Sequence, residues 1–375
     1  MGKSKTQGDV RAKKLLDWYD SSRRDLPWRA ASGAKSDVYA VWLSEIMLQQ
    51  TSVVTVAAYY RKFMALWPRV ENLAAAPVEQ VMQAWAGLGY YSRARNLHAC
   101  AQKIVADFGG VFPTDEAQLR GLPGIGPYTA AAIVAIAHGR RAIVVDGNIE
   151  RYAARLLALE TPLPAAKKAI YAFVESLTPQ DRAGDFAQAG MDFGATLCTP
   201  RNPDCGHCPL HGDCAGAACG HPEDFPRKAL KKPRPLRRGA TFYLRRADGA
   251  LLTRTRPPRG LLGGMVEFCC ADWRAERSPD WALRQFAQGA LKGAPMPGVA
   301  WRHAGEVDHI FTHFALNLTV FVGAAPRSTP APEGFVWLDE SRMRAAALPS
   351  VMRKVEACAR AHLAASGLSG ARIRS

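Results

Sequence analysis

The sequence has no run of about 18 consecutive apolar residues, which removes a membrane-spanning helix from consideration. It lacks an apolar signal core as well. Met1-Gly2-Lys3-Ser4-Lys5 is charged and leads into an amphipathic stretch, so an unprocessed cytoplasmic chain is expected. Acidic residues are in short supply, with 33 Asp and Glu against 49 Lys and Arg, a net charge of +16. Such an excess points to a polyanionic partner, nucleic acid first among them. The cysteines do not pair off: there are nine, and four crowd between Cys198 and Cys214. A disulfide framework is not expected in a cytoplasmic chain of this size, and the crowding points to a metal instead.

With 375 residues, 48% of them apolar and 22% charged, the chain is an ordinary globular one with two or three domains. From about residue 9 to 222 apolar residues recur three or four apart, as at Tyr39, Trp42, Leu43, Ile46 and Met47, which predicts helices. Gly87-Leu88-Gly89, Phe112-Pro113 and Leu122-Pro123-Gly124 read as loops between them, and no strand is expected. Residues 223–238 are rich in proline and basic side chains and read as an extended linker able to touch phosphate. After Gly239 the period changes to two. Thr241–Arg246 and Ala250–Thr255 flank Asp248-Gly249 as a hairpin, and Phe314, Leu316, Leu318, Val320 and Val322 alternate. An α+β domain is expected over 239–365, followed by a tail at 366–375.

Cys198, Cys205, Cys208 and Cys214 are separated by six, two and five residues. Four thiolates suit zinc or an iron–sulfur cluster, and spacing alone leaves both open. Upstream, Leu122-Pro123-Gly124-Ile125-Gly126-Pro127-Tyr128-Thr129 opens an apolar helix. Two glycines two apart before a helix start let backbone N–H groups meet an anion such as a phosphate. Twenty residues after Gly126, Asp146 follows the apolar run Ile143-Val144-Val145. On a helix Glu45 has apolar neighbours, Trp42 and Ile46 among them, and a carboxylate so placed resists ionising, the property of a general acid near neutral pH.

The hairpin with its later aspartate resembles the helix-hairpin-helix superfamily of DNA glycosylases, and C-x6-C-x2-C-x5-C resembles the [4Fe–4S] loop of endonuclease III and the MutY-type adenine glycosylases. Val41-Trp42-Leu43-Ser44-Glu45-Ile46-Met47-Leu48-Gln49-Gln50-Thr51 is similar to the catalytic-glutamate segment of the MutY type. The likeness continues in Trp85–Asn96 and in Phe186–Asp192. It implies a [4Fe–4S] cluster on the four cysteines, serving to tie down a loop whose Arg201 and Asn202 can face DNA. It implies Glu45 as the acid that protonates adenine, Asp146 as the carboxylate that stabilises the sugar cation, and Tyr128 as a support for Asp146 by a hydrogen bond. Bifunctional relatives carry a lysine in the hairpin, and Tyr128 stands at that place, so base excision without strand cleavage is implied. Trp28, Arg29 and Gln188 match the adenine pocket. Gln50, Thr51, Leu88 and Tyr90 match residues that contact and wedge the DNA, with Leu122, Gly124 and Gly126 contributing from the hairpin.

The second domain resembles a Nudix fold that reads 8-oxoguanine. Arg259–Phe268 looks like its early loop and strand, and Phe311-Thr312-His313 like its reading loop. Residues 272–291 lack the R-E-x-x-E-E metal helix, so pyrophosphate hydrolysis is not expected. The fold class is thus an all-α glycosylase core with an iron–sulfur loop plus an α+β Nudix-like domain. Within the core, one lobe is expected at about 31–141 and one at about 9–30 with 142–222. The implied partner is double-stranded DNA bearing adenine opposite 8-oxoguanine or guanine, met by a nucleoid-associated bacterial monomer. Two competing readings are weaker. An endonuclease III-like enzyme for oxidised pyrimidines is disfavoured by Tyr128 and Glu45, and a silent DNA binder by the presence of both carboxylates.

Overall fold

The computed structural model describes residues 3–31, 33–229, 233–257, 260–289, 294–346 and 348–366. The basic residues Lys231 and Lys232, Arg259 of the early loop and nearly all of the tail lie outside the described residues. The chain divides into two compact units, one of residues 1–88 with 93–231, the other of 232–375 with the short segment 89–92.

The first unit is helical. In chain order its helices are α1 Lys3–Ser22, α2 Val38–Leu48, α3 Val53–Leu66, α4 Val70–Ala75, α5 Val78–Trp85, α6 Ser92–Phe108, α7 Glu116–Arg120 and α8 Pro127–Ala132, which continues as a π-helical turn Ile133–Ala137. Then come α9 Gly147–Leu156, α10 Lys167–Leu177, α11 Ala183–Thr196 and the short α12 Ala215–Ala218. Two elements matter most. Helix α2 begins where the Asp37 side chain accepts from the Ala40 N–H at 2.8 Å, and nine of its eleven residues are buried. A helix apolar all round must sit in the core, and that placement desolvates Glu45. Helix α9 begins at Asp146, whose carboxylate is its N-cap. A second core gathers Leu15 and Tyr19 of α1, Tyr152 of α9, Ile170 of α10, Phe186 and Phe193 of α11, and the downstream Phe225.

Phe225 corrects the expected linker. The segment at 222–228 is packed rather than extended: Phe225 is buried, the Leu163 N–H donates to the Arg227 carbonyl at 2.9 Å, and Arg227 pairs with Glu160 and Asp224. One aromatic among prolines and cations sufficed to anchor it, a feature that composition averages away.

The second unit is a mixed sheet between helices. Its strands are β1 Leu236–Arg246, β2 Leu251–Thr255, β3 Val266–Glu267, β4 Cys269–Cys270, β5 Arg302–Ile310, β6 Ala315–Ala325 and β7 Val336–Leu338, and its helices α13 Trp281–Ala287, α14 Glu340–Ala345 and α15 Ser350–Ala365. The main path is β3-β2-β1-β6-β5, with β4 against β1 and β7 against β2. The hairpin at Asp248-Gly249 forms, with Arg245 opposite Leu251. The long parallel pairing of β1 with β6 is the spine, and β6 is buried on both faces. Leu316, Leu318, Val320 and Val322 pack with Val351, Met352 and Val355 of α15, while Phe321 packs with Phe242 and Ala282.

Candidate active site and iron–sulfur centre

Helix α2 brings Glu45 into the first unit's core at 7% exposure. Burial, partly opposed by a hydrogen bond from Tyr128 and by the charge of Arg29, and reinforced by the charge of Asp146, pushes its carboxyl up to about 7. It is therefore poised between neutral acid and carboxylate near neutral pH. Asp146 is raised by burial too, but its caps oppose this: Oδ1 accepts from the Ile149 N–H at 2.7 Å and Oδ2 from Asn148 Nδ2 at 2.7 Å. Two donors that favour the charged form distinguish the second carboxylate from the first. Tyr128, at the start of α8, is held well above its usual range by burial beside the two carboxylates, so its hydroxyl stays a donor. That hydrogen bond goes to Glu45. The expectation that Tyr128 hydrogen-bonds Asp146 is therefore revised. Asp146 meets its donors, Asn148 Nδ2 and the Ile149 N–H, within its own helix start, which leaves the phenol to the other acid.

The hairpin needs its glycine. Gly124 has φ +78°, and a Cβ there would stand 2.9 Å from the Asn96 Cβ. Gly126 caps α8 with Pro127 at its first position, and both glycines are exposed. Leu122 is buried and holds the turn from beneath rather than presenting its side chain outward.

Around the acid, Trp28 is buried edge-on against Tyr60, their ring centres 5.5 Å apart. Arg29 does not offer a free fork. Its two terminal nitrogens reach the carboxylate of fully buried Asp192 at 2.5 and 2.7 Å, and Arg24 Nε joins at 2.6 Å. Both cations hold the Asp192 carboxyl below its ordinary value despite burial. Gln188 lines a cavity of about 400 Å3 with Tyr19, Arg23, Ala30, Ser36 and Asp185, and its amide donates to the Gly184 carbonyl at 3.3 Å.

Gln50 and Tyr90 are exposed and carry φ of +59° and +47°, the left-handed region that costs a non-glycine residue about 1 kcal/mol or more. Buried Arg93 spans the neighbouring segments. It donates to the Ile46 and Met47 carbonyls at 2.9 and 2.8 Å, to Thr51 Oγ1 at 3.0 Å and to the Leu88 carbonyl at 3.2 Å. Leu88 itself is buried, so its side chain packs inward.

The four cysteines border a small hollow of about 20 Å3. Arg155, 2% exposed, donates to Cys198 Sγ at 3.2 Å and to the carbonyls of Thr199, Pro200 and Phe225. Arg151 Nε donates to the Cys198 carbonyl at 2.7 Å, and its terminal nitrogen to Asn148 Oδ1 at 2.9 Å. Burial pushes Cys208 up to about 12 and raises Cys198 and Cys205 as well, so thiolates here require a metal's positive charge. Among the described residues no group of three or more His, Cys, Asp or Glu converges on the position of a single ion. Four cysteine thiols bordering one hollow fit an iron–sulfur cluster. Cys219 is exposed, and Cys269 and Cys270 stand in β4 of the second unit.

Three family models match the chain. Residues 43–179 match the HhH-GPD superfamily of base excision DNA repair proteins, 198–214 the iron–sulfur binding domain of endonuclease III, and 240–357 the NUDIX domain. The adenine DNA glycosylase of Homo sapiens is 38% identical, over 91% of this chain and 72% of its own length, and that of Mus musculus is 38% identical over 91% and 76%. The chain belongs to the adenine DNA glycosylases. A solved thermostable thymine-DNA glycosylase is also similar, at 30% identity and a TM-score of 0.52, covering 57% of this chain and 98% of that one.

This glycosylase is accordingly a base excision repair enzyme that hydrolyses N-glycosidic bonds in DNA, and its centre on the four cysteines is a [4Fe–4S] cluster. Among the described residues no helix is long and apolar enough to cross a membrane. Sequence reasoning gave no role to Asp192, Asn148, Arg93, Arg151 or Arg155. Asp192 left a signal all the same: it is a carboxylate set between Met191 and Phe193 on a largely buried helix, which implies a cationic partner.

Proposed function

We propose that this glycosylase excises adenine opposite 8-oxoguanine or guanine, and that it does so without cutting the strand. The observation that carries this reading is the pair of unlike carboxylates, Glu45 pushed up to about 7 by burial and Asp146 raised by burial but drawn back by two donors at its helix start. Neutral Glu45 donates its proton to a ring nitrogen of the flipped adenine. The C1′–N bond breaks, its electron pair leaves with the base, and positive charge develops on the deoxyribose. Asp146 stabilises that cation or traps it briefly, and water adds at C1′ while its proton returns to a carboxylate. Tyr128 donates to Glu45, and a phenol cannot form the Schiff base that strand cleavage requires. Arg29, fixed by Asp192, acts by orienting the pocket wall with Trp28, while Gln188 offers its amide to the base edge.

Gln50, Thr51, Leu88 and Tyr90 form or support the DNA-contacting segments; the strained backbone of Gln50 and Tyr90 is what a site held for a ligand displays. Gly124 and Gly126 present N–H groups to a phosphate, with Leu122 as their footing. In the second unit Thr312 and His313 read the opposing base from the exposed tip between β5 and β6, and Phe311 supports them from beneath. The enzyme is proposed to work as a monomer on the bacterial nucleoid, consistent with its charge of +16.

The test is single-turnover base release from duplexes with adenine opposite 8-oxoguanine, guanine and thymine, with and without alkali. Release from the first two alone, visible only after alkali, is expected. Breaks without alkali would refute the monofunctional reading, and equal release opposite thymine the mismatch reading.

A further inference from the structure

Beneath the tip between β5 and β6 lies an unbroken stack of rings closed by a cation at each end. The Arg237 guanidinium sits 4.2 Å from the Phe314 ring centre, Phe314 lies 4.8 Å from Phe311, and Phe311 stacks on Trp273 at 6.0 Å. The Arg256 guanidinium stands 5.5 Å from the Trp273 ring centre. The turn is closed by the Phe311 N–H donating to the Phe314 carbonyl at 2.9 Å, which leaves Thr312 and His313 exposed at the tip.

The Arg256 end of the stack is fixed deep in the domain. Glu267 is 1% exposed, and its carboxylate pairs with Arg254 at 2.8 Å and with Arg256. Arg256 Nε in turn donates to the Leu261 carbonyl at 3.0 Å, bracing the loop that leads into β3. A buried carboxylate with two guanidinium partners is a rigid anchor, because moving either partner strands a charge. The Trp273 ring has a made seat: a Cβ on Gly239 of β1 would stand 2.6 Å from its Cδ1. Packing alone would not call for a guanidinium at both ends and a carboxylate beneath one of them.

We propose that Glu267, acting through Arg256 and Trp273, is a positioning residue for recognition of the base opposite adenine. The stack sets the height and angle of Thr312 and His313, and cations over aromatic faces stiffen it more than apolar packing would. This rests on the reading that the 311–313 tip contacts the opposing base.

The experiment compares wild type with E267Q, W273L, W273F and a double variant of the tip, T312A with H313A. The measured quantity is the ratio of single-turnover release rates opposite 8-oxoguanine and opposite guanine, at subsaturating enzyme. E267Q and W273L should lower that ratio about tenfold, the scale of one lost charged contact, and W273F should retain most of it. A loss of packing alone would lower both rates in proportion and leave the ratio unchanged, which would overturn the proposal. If E267Q misfolds, shown by near-UV circular dichroism, the pair W273L and W273F decides. A ratio moved by the tip variant but by neither W273L nor E267Q defeats the proposal alone. A ratio moved by none of the variants defeats the reading of the tip and the proposal together.

Discussion

Replacing Glu45 with Gln should stabilise the protein at alkaline pH while removing its activity. The argument starts from the carboxyl's displacement to about 7 from an ordinary 4.5, caused chiefly by burial. A raised carboxyl means that the folded state favours the neutral form. The site's contribution to stability is therefore intact below about pH 4.5 and is lost as pH rises through about 7. At about 1.4 kcal/mol per pH unit, the full gap corresponds to about 3 kcal/mol. Glu45 is too buried for solvent to screen much of this. Glutamine keeps an acceptor for the Tyr128 hydroxyl but has no charge to desolvate. The difference in unfolding free energy between E45Q and wild type should thus grow by about 2.5 kcal/mol between pH 5 and pH 8 in favour of the variant. Urea unfolding at both pH values, followed by near-UV circular dichroism with cluster absorbance as a check, measures it directly. Other titrating groups cancel in the comparison. Parallel pH dependences for the two proteins would mean that Glu45 does not titrate near neutrality, and the assignment of general acid would lose its physical basis. The kinetic counterpart is release that falls about tenfold per pH unit above about 7 in wild type.

The hydrogen bond from Tyr128 favours the charged form of Glu45, so Y128F should move the alkaline limb of the pH–rate profile upwards; a downward move would contradict the assigned donor. D192N leaves Arg29 and Arg24 without their buried counter-charge and should destabilise by about 3 kcal/mol, with a weakened response to the adenine base in binding assays. Urea midpoints within error of wild type would show that the cluster of charges is not structural. G124A forces a side chain into a left-handed position and against Asn96, and should lower DNA affinity severalfold without changing the apparent pKa of release. Removal of iron by chelation after oxidation should loosen residues 198–214 and weaken DNA binding, read as faster proteolysis of that loop and a higher Kd.

What the sequence determined by itself is what local spacing encodes. Four cysteines within 17 residues read as a metal loop, since so short a segment can bring all four thiols around one centre. A glycine that takes φ +78° before a helix start is fixed by backbone sterics, and the period of apolar residues separates the helical unit from the sheet-bearing one. Helix α2 was legible as helix, and its carboxylate as an acid in apolar company. The tertiary structure decided the rest, because desolvation and pairing are set by neighbours remote along the chain. Arg29 is held by Asp192, 163 residues away, so the guanidinium expected in the pocket is already engaged. Tyr128 was assigned to one carboxylate and serves the other, since Asp146 meets its donors within its own helix start. Phe311 lies between Trp273 and Phe314 rather than standing clear with Thr312 and His313. Periodicity tells which side of an element faces inward; only the folded chain tells what it meets there.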